Sequence, residues 1–349
     1  LDTWNWLGVA CATGPGGNDA FSHQLGAGIN VLETGRRCGP GLARVKPFAT
    51  IIAFYSGRDR MLQIIGLVVL FVCVFGGFMI SGGKLEVVIE AAPHELLTIG
   101  GGALAGLLIG ASMFSLKKVG GDLAKIMSGP KWKPSDFRDL LCLLFLLTKT
   151  MKSKGLIALE AHIEKPEESS IFKRYPKIAK DHFALAFICD TLRMMTMSLE
   201  DPLQVEAAME KQLEKHHHEA LETATALQTM ADGLPALGIV AAVLGVVKTM
   251  GSISEPPEVL GRMIGSALVG TFMGVFLAYG IVGPLSVRLK SIVDEEALFY
   301  HVIRDILVAH LHGNAAQVSV EIGRGSVPSE AQPTFQELEE TLNNIPKVE

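Results

Sequence analysis

Hydrophobic positions along this chain are gathered into four long blocks free of charge. Residues 61–83 (MLQIIGLVVLFVCVFGGFMISGG) and 96–116 (LLTIGGGALAGLLIGASMFSL) contain no Asp, Glu, Lys or Arg. Residues 263–287, framed by Arg262 and Arg288, form the longest block, and residues 233–247 (GLPALGIVAAVLGVV), framed by Asp232 and Lys248, a shorter one. A bilayer core about 30 Å thick needs about 20 apolar helical residues to cross it. Each block therefore predicts a membrane-crossing helix, and the third must borrow residues from its flanks. Twelve residues, 84–95, separate the first two blocks and 15, 248–262, the last two, so each pair is predicted to be a helical hairpin.

Between the hairpins lies a long polar stretch. Residues 117–232 carry 17 Lys+Arg and 17 Asp+Glu with helical periodicity, which predicts a solvent-exposed helical domain. The expected fold is an all-α membrane protein with four transmembrane helices as two hairpins (residues 61–116 and 233–287). A large helical cytoplasmic domain (117–232) lies between spans two and three, and a cytoplasmic C-terminal helix and tail (288–349) follows. Basic residues near span ends set orientation. Lys117, Lys118 and Lys125 follow span two, Arg288 and Lys290 follow span four, and Arg58 and Arg60 precede span one. All are thereby placed on the cytoplasmic side of a multi-pass inner-membrane protein, with both termini inside. Residues 1–60, with 10 Gly and two of the three Trp and no sustained period, read as an upstream or accessory segment; the alternative is a disordered cytoplasmic extension.

Composition sharpens this. Of 349 residues, 49% are hydrophobic and 19% charged, below the roughly 25% charge of an ordinary soluble domain. A net charge of −5 excludes a generally basic nucleic-acid binder. Five cysteines, Cys11, Cys38, Cys73, Cys142 and Cys189, are widely spaced without a CxxC pair, which implies neither a disulfide framework nor a zinc site. The consecutive His216, His217 and His218 diverge by about 100° each on a helix and cannot face one metal, so an exposed structural role is expected. No nucleophile with a base, phosphate-binding loop or metal cluster is visible, and no enzyme activity, cofactor or metal is expected.

The candidate chemistry lies in the spans. Glycine crowds them, as in GGGALAG (100–106) and at Gly265, Gly270, Gly274, Gly280 and Gly283, and small faces let helices approach closely in lipid. No Asp, Glu, Lys, Arg or His occurs in 233–247 or 263–287. A proton relay needs a titratable group at membrane depth. Either the chain moves no ions, or a partner supplies the carboxylate and these helices the lining. Thr271 and Tyr279 are the polar groups near the middle of span four. Pro235, at the start of span three, and Pro284, near the end of span four, each remove a backbone donor, as hinges or as ordinary helix-end prolines. In the polar domain, MKSKGLIALEAHIEKPEESSIF mixes Lys152 and Lys154 with Glu160, Glu164, Glu167 and Glu168, a solvated face unless a partner of complementary charge meets it.

The order of spans, the long second loop and the strings GGFMISGG, HELLTIGGG, LEAHIEKPEESSIFKRYP, DGLPALGIVAAVLGVVKTMGS, MIGSALVGTFMGVFLAYGIVGPLS and VEIGRGSVPSEAQPTFQELEE resemble the MotA family of flagellar motor stator subunits, over 289 residues from Met61 to the end. The resemblance implies a proton channel formed with a MotB-like partner whose single span carries the protonatable Asp. It also implies five copies around two partner chains, and ion flow that works the cytoplasmic domain against the rotor protein FliG. It puts the rotor-contacting charges on Lys152 and Glu160, the coupling prolines on Pro235 and Pro284, and the channel lining on Thr271, Ala242 and Tyr279. Lys152 stands where Arg is often found, keeping the charge without the bidentate fork, with Lys154 beside it as a second cation. Ala242 stands where sodium-driven members carry a threonine. A methyl group offers sodium no oxygen ligand, so protons are the expected ion. The competing readings are an ExbB/TolQ-like proton-driven energiser of outer-membrane transport and a structural membrane scaffold.

Overall fold

The computed structural model describes residues 48–196 and 201–345, and these contain helices and turns. The first hairpin is α1 (Phe48–Ile80) and α2 (Leu85–Gly110). The connection is a four-residue turn, 81–84, rather than the twelve-residue loop that charge placement suggests, with Gly82 at φ 85° closing it. Of the expected upstream segment, residues 1–47 lie outside the described residues, and α1 is already helical through 48–60.

The second hairpin is longer. The polar domain's last helix and the third span form one 49-residue helix, α8 (Pro202–Met250), capped by the Asp201 carboxylate, which accepts from Leu203 N at 3.1 Å. After residues 251–256, α9 (Pro257–Val275) returns through the membrane. A single π-helical segment, Phe276–Val282, leads into α10 (Gly283–Leu311), which continues into the polar domain. The third span thus borrows its extra residues by being the end of a much longer helix. Phe71 and Phe75 of α1 meet Phe272 and Phe276 edge-on, with ring centroids 5.4–6.0 Å apart, which attaches the first span to the fourth.

The domain between spans two and three contains α3 (Met113–Ser128), α4 (Pro134–Lys154), α5 (Leu156–Glu164), α6 (Pro176–Ala179) and α7 (His182–Thr196); α11 (Ala316–Gly325) and α12 (Phe335–Asn343) follow α10. Its core forms around the LLCLLFLLT run, 140–148, buried throughout. Eight apolar residues and a threonine are too few to cross a bilayer, so a helix segment of this length that is apolar all round becomes the centre of a packed domain. Phe187, Leu192, Val205, Met209, Phe299 and Ile303 close around it, drawn from α7, α8 and α10. Trp132 stacks on Phe299 at 3.8 Å and 5°, with the Lys131 and Lys177 ammonium groups 4.9 and 5.4 Å from its ring.

His216 departs from expectation. Instead of standing exposed, it lies half-buried, stacked on Phe183 at 3.6 Å and edge-on to Tyr300, while His217 Nε2 sits 3.3 Å from Asp294. A ring on α8 facing both α7 and α10 gains more from aromatic packing than from hydration. Cys142 and Cys189 are buried thiols pushed up to about 11 and about 12 by burial, so neither ionises near neutral pH.

Candidate channel and torque-coupling site

The expected lining residues sit beside a backbone-to-backbone seam between α8 and α9. A Cβ added at Gly274 would fall 2.7 Å from the Leu234 carbonyl and 2.8 Å from Gly238 Cα; one added at Gly238 would fall 3.0 Å from the Gly270 carbonyl. The Ala241 methyl packs over Gly270, and Ala267 over Gly245. Positions 234, 238, 241 and 245 follow helical spacing, as do 267, 270 and 274, so each helix presents one small face to the other. Ala242 and Thr271 are the chain neighbours of the Ala241–Gly270 contact and lie at one level, both half-buried. Tyr279 is two turns away in the π-helical segment and is 70% exposed. The structure therefore places Ala242 and Thr271 at one level and leaves Tyr279 apart.

The two prolines sit at different kinds of position. Pro235 lies inside α8, half-buried, where its missing N–H leaves the Ala231 carbonyl without its usual helical donor. Pro284 is exposed and follows the π-helical segment, where the Gly283 N–H donates to the Ala278 carbonyl five residues back. The extra residue in that turn accommodates the proline ring without breaking the helix. Two residues on, Ser286 Oγ donates to the Ala224 carbonyl of α8 at 2.8 Å.

A cavity of about 380 Å³ with a mixed apolar and polar lining opens between α2, α8 and α9 at the end of the bundle where both hairpins turn. Glu90, His94, Glu95, Lys248, Arg262 and Ser266 are among its lining, and Arg262 Nε lies 3.7 Å from the Glu90 carboxylate. Among them Glu95 bears on α9: its Oε2 lies against Gly270, 2.7 Å from where a Cβ there would stand. Sequence reasoning missed Glu95 because a search for charge-free runs begins span two at Leu96. The signal that would have found it is the apolar pattern continuing through Val87, Val88 and Ile89 ahead of it.

Lys152 closes α4 and Glu160 lies on α5, both exposed, joined through Gly155 at φ 81°, a backbone conformation that favours glycine. The far end of α5 is held by the His162 Nδ1 contact with Ser169 Oγ at 2.9 Å and by Arg193 Nε donating to Glu164 at 2.9 Å. Burial, reinforced by the Lys154 charge, lowers the His162 pKa below the usual histidine range.

The chain is 37% identical to motility protein A of Salmonella typhimurium over 285 residues, covering 82% of this chain and 96% of that protein. It belongs to the motility protein A family. Two family models match this chain: the motility protein A N-terminal model at residues 64–155, and the MotA/TolQ/ExbB proton channel family at residues 179–301. The chemotaxis protein LafT of Vibrio parahaemolyticus is 35% identical over 81% of this chain and 98% of its own length. Among solved structures, C. jejuni MotAB aligns with a TM-score of 0.60 at 18% identity, over 79% of this chain and 99% of that one. The flagellar MotAB stator complex from Bacillus subtilis aligns at 0.55 and 21% identity, over 74% and 92%. At those identities the likeness concerns the fold: four apolar helices of membrane-crossing length with a helical domain between the second and third.

Proposed function

We propose that this chain is a flagellar motor stator subunit which, with a MotB-like single-span partner, forms a proton channel and converts proton flow into motion of its cytoplasmic domain. The observation that carries this reading is a division of labour along α8 and α9. Their membrane halves form a tight seam with no Asp, Glu, Lys, Arg or His in 233–247 or 263–287, so the titrating group on the pore side comes from elsewhere. α8 runs unbroken into the polar domain, and α9 continues there through the π-helical segment and α10. The relatives' names support it, since the matched proteins are motility and chemotaxis proteins and the matched structures are MotAB complexes. No catalytic role, cofactor or nucleic-acid partner is part of the proposal.

The finer assignments follow from the same frame. The protein is a multi-pass inner-membrane protein, and the basic residues Lys117, Lys118, Lys125 and Lys290 favour a cytoplasmic polar domain and cytoplasmic termini, so both hairpin turns face the periplasm. Ala242 and Thr271 line the channel, with Tyr279 at its inner part. Lys152 and Glu160 meet the rotor protein FliG, and Pro235 and Pro284 couple the membrane to the domain. Five copies surround two partner chains. The transported ion is the proton, because Ala242 gives sodium no ligand.

The test is complementation of a strain lacking this gene. Loss of swimming with intact flagella, restored by the gene, is expected, with speed flat across external sodium at fixed proton motive force. Loss of siderophore uptake instead would assign the chain to outer-membrane energisation, and a saturating sodium dependence would overturn the choice of ion.

A further inference from the structure

We propose that the cavity between α2, α8 and α9 is a water-filled proton vestibule and that Glu95 at its floor is the relay carboxylate that delivers protons to the channel helix α9. The proposal rests on the stator reading above and adds a residue on the outer helix pair to a pathway otherwise assigned to the inner one.

Three features support it. The first is depth. Glu95 lies ten residues into α2, roughly 15 Å from the helix start at 1.5 Å per residue, and touches Gly270, beside Thr271. An ionisable group held at that level is costly, and such residues mark ion pathways by default. The second is space. A volume of about 380 Å³ accommodates roughly ten waters at about 30 Å³ each, and the hydroxyls of Thr98, Thr249 and Ser266 line it. The third is the shape of α9. Gly270 has no side chain where the Glu95 carboxylate lies, and any Cβ would collide with Oε2 at 2.7 Å, so the carboxylate rests directly on the channel helix.

The surroundings fit a relay rather than a fixed ion pair. The charged groups facing Glu95 are His94 and Glu90 on α2, Lys248 on α8 and Arg262 on α9. Arg262 is engaged by Glu90 at 3.7 Å at the cavity mouth. In the proposed step Glu95 takes one external proton carried in as hydronium through the vestibule water, becomes neutral, and passes that proton through water at the Gly270–Thr271 level to the partner's carboxylate. It returns ionised, so nothing is consumed and one proton crosses per cycle.

The experiment uses cells expressing the complete complex with its partner. Proton influx is read by cytoplasmic acidification and normalised to complex in the membrane fraction. Glu95→Gln is expected to lower influx per complex about tenfold and to slow swimming in parallel, while Glu95→Asp retains a large part of both and shifts the external-pH midpoint of influx. Normal influx per complex in Glu95→Gln overturns the proposal and leaves the stator reading intact. If Glu95→Gln does not accumulate, Glu95→Asp decides: influx and midpoint identical to the parent overturn the relay. A parent complex that does not acidify cells, whatever the state of the partner's carboxylate, overturns both readings.

Discussion

Ser286 Oγ donates a fully buried hydrogen bond to the Ala224 carbonyl at 2.8 Å, joining α10 to α8 across 62 positions of sequence, just past Pro284. The bond ties the two helices that leave the membrane at the point where they enter the polar domain. Ser286→Ala removes one buried bond, worth about 1 kcal/mol. The variant is expected to assemble, to unfold slightly earlier on heating than the parent complex, and to swim more slowly at unchanged proton influx; reduced influx would place the bond's role in conduction.

The seam makes a sharper prediction. A methyl at Gly274 meets the Leu234 carbonyl and Gly238 Cα, both backbone atoms that cannot rotate away. Overpacking of this kind typically costs 1–3 kcal/mol. Gly274→Ala should lower the thermal stability of the purified complex and its yield in membranes, whereas Gly120→Ala, with nothing within 4 Å of its added methyl, should not. Equal behaviour of the two would mean that α8 and α9 separate at no cost.

Pro235→Ala and Pro284→Ala should reach the membrane and conduct yet generate little torque, because each restores a helical donor where the helix is now free to bend. About 2.3 kcal/mol is available per proton per 100 mV, enough to bias helix packing. Membrane-fraction blots beside tethered-cell rotation check this. Absence from the membrane would make the proline structural, and normal rotation by both would place the coupling elsewhere.

At the proposed rotor face, exposed pairs contribute about 0–1 kcal/mol each. Neutralising Lys152 or Glu160 singly should slow swimming modestly, and Lys152→Glu should slow it more than Lys152→Ala because repulsion is added. Partial rescue by charge reversal in FliG is the expected readout, and normal swimming by Lys152→Glu would remove this residue from the contact.

His162 predicts a pH dependence. Its folded pKa is lowered by burial, then by Lys154, below an unfolded value of about 6.5. Below that pH the unfolded chain binds the proton more readily, so the contribution to stability is complete above about 6.5 and is lost as pH falls toward the folded value. The melting temperature of the complex between pH 7.5 and 5.5 should fall less steeply for His162→Gln than for the parent; parallel curves would refute the assignment.

The four spans and the helical domain between them were legible because lipid imposes its demand on consecutive residues, and the uninterrupted apolar blocks satisfy it. Helix ends were not, because side-chain charge does not stop a helix. Leu85–Glu95 and Lys248–Met250 are helical although they carry the charges that ended the apolar runs. Ala242 and Thr271 were named from resemblance, and their common level depends on which glycine faces which, a property of the pairing of two helices. The π-helical segment before Pro284 has no local signature beyond the proline itself. Glu95 was invisible for a related reason: its meaning lies in Gly270, 175 positions away.

The unbroken run of α8 makes it a lever. From Pro235 to its first residue, Pro202, the helix extends roughly 50 Å at 1.5 Å per residue. A tilt of about 5° at the proline end would sweep the far end through roughly 4 Å, on the same rise. That end is embedded in the domain core through Val205 and Met209, so the domain travels with it. A rearrangement at the channel no larger than a side chain's rotation is thereby geared up to a stroke on the scale of a helical turn.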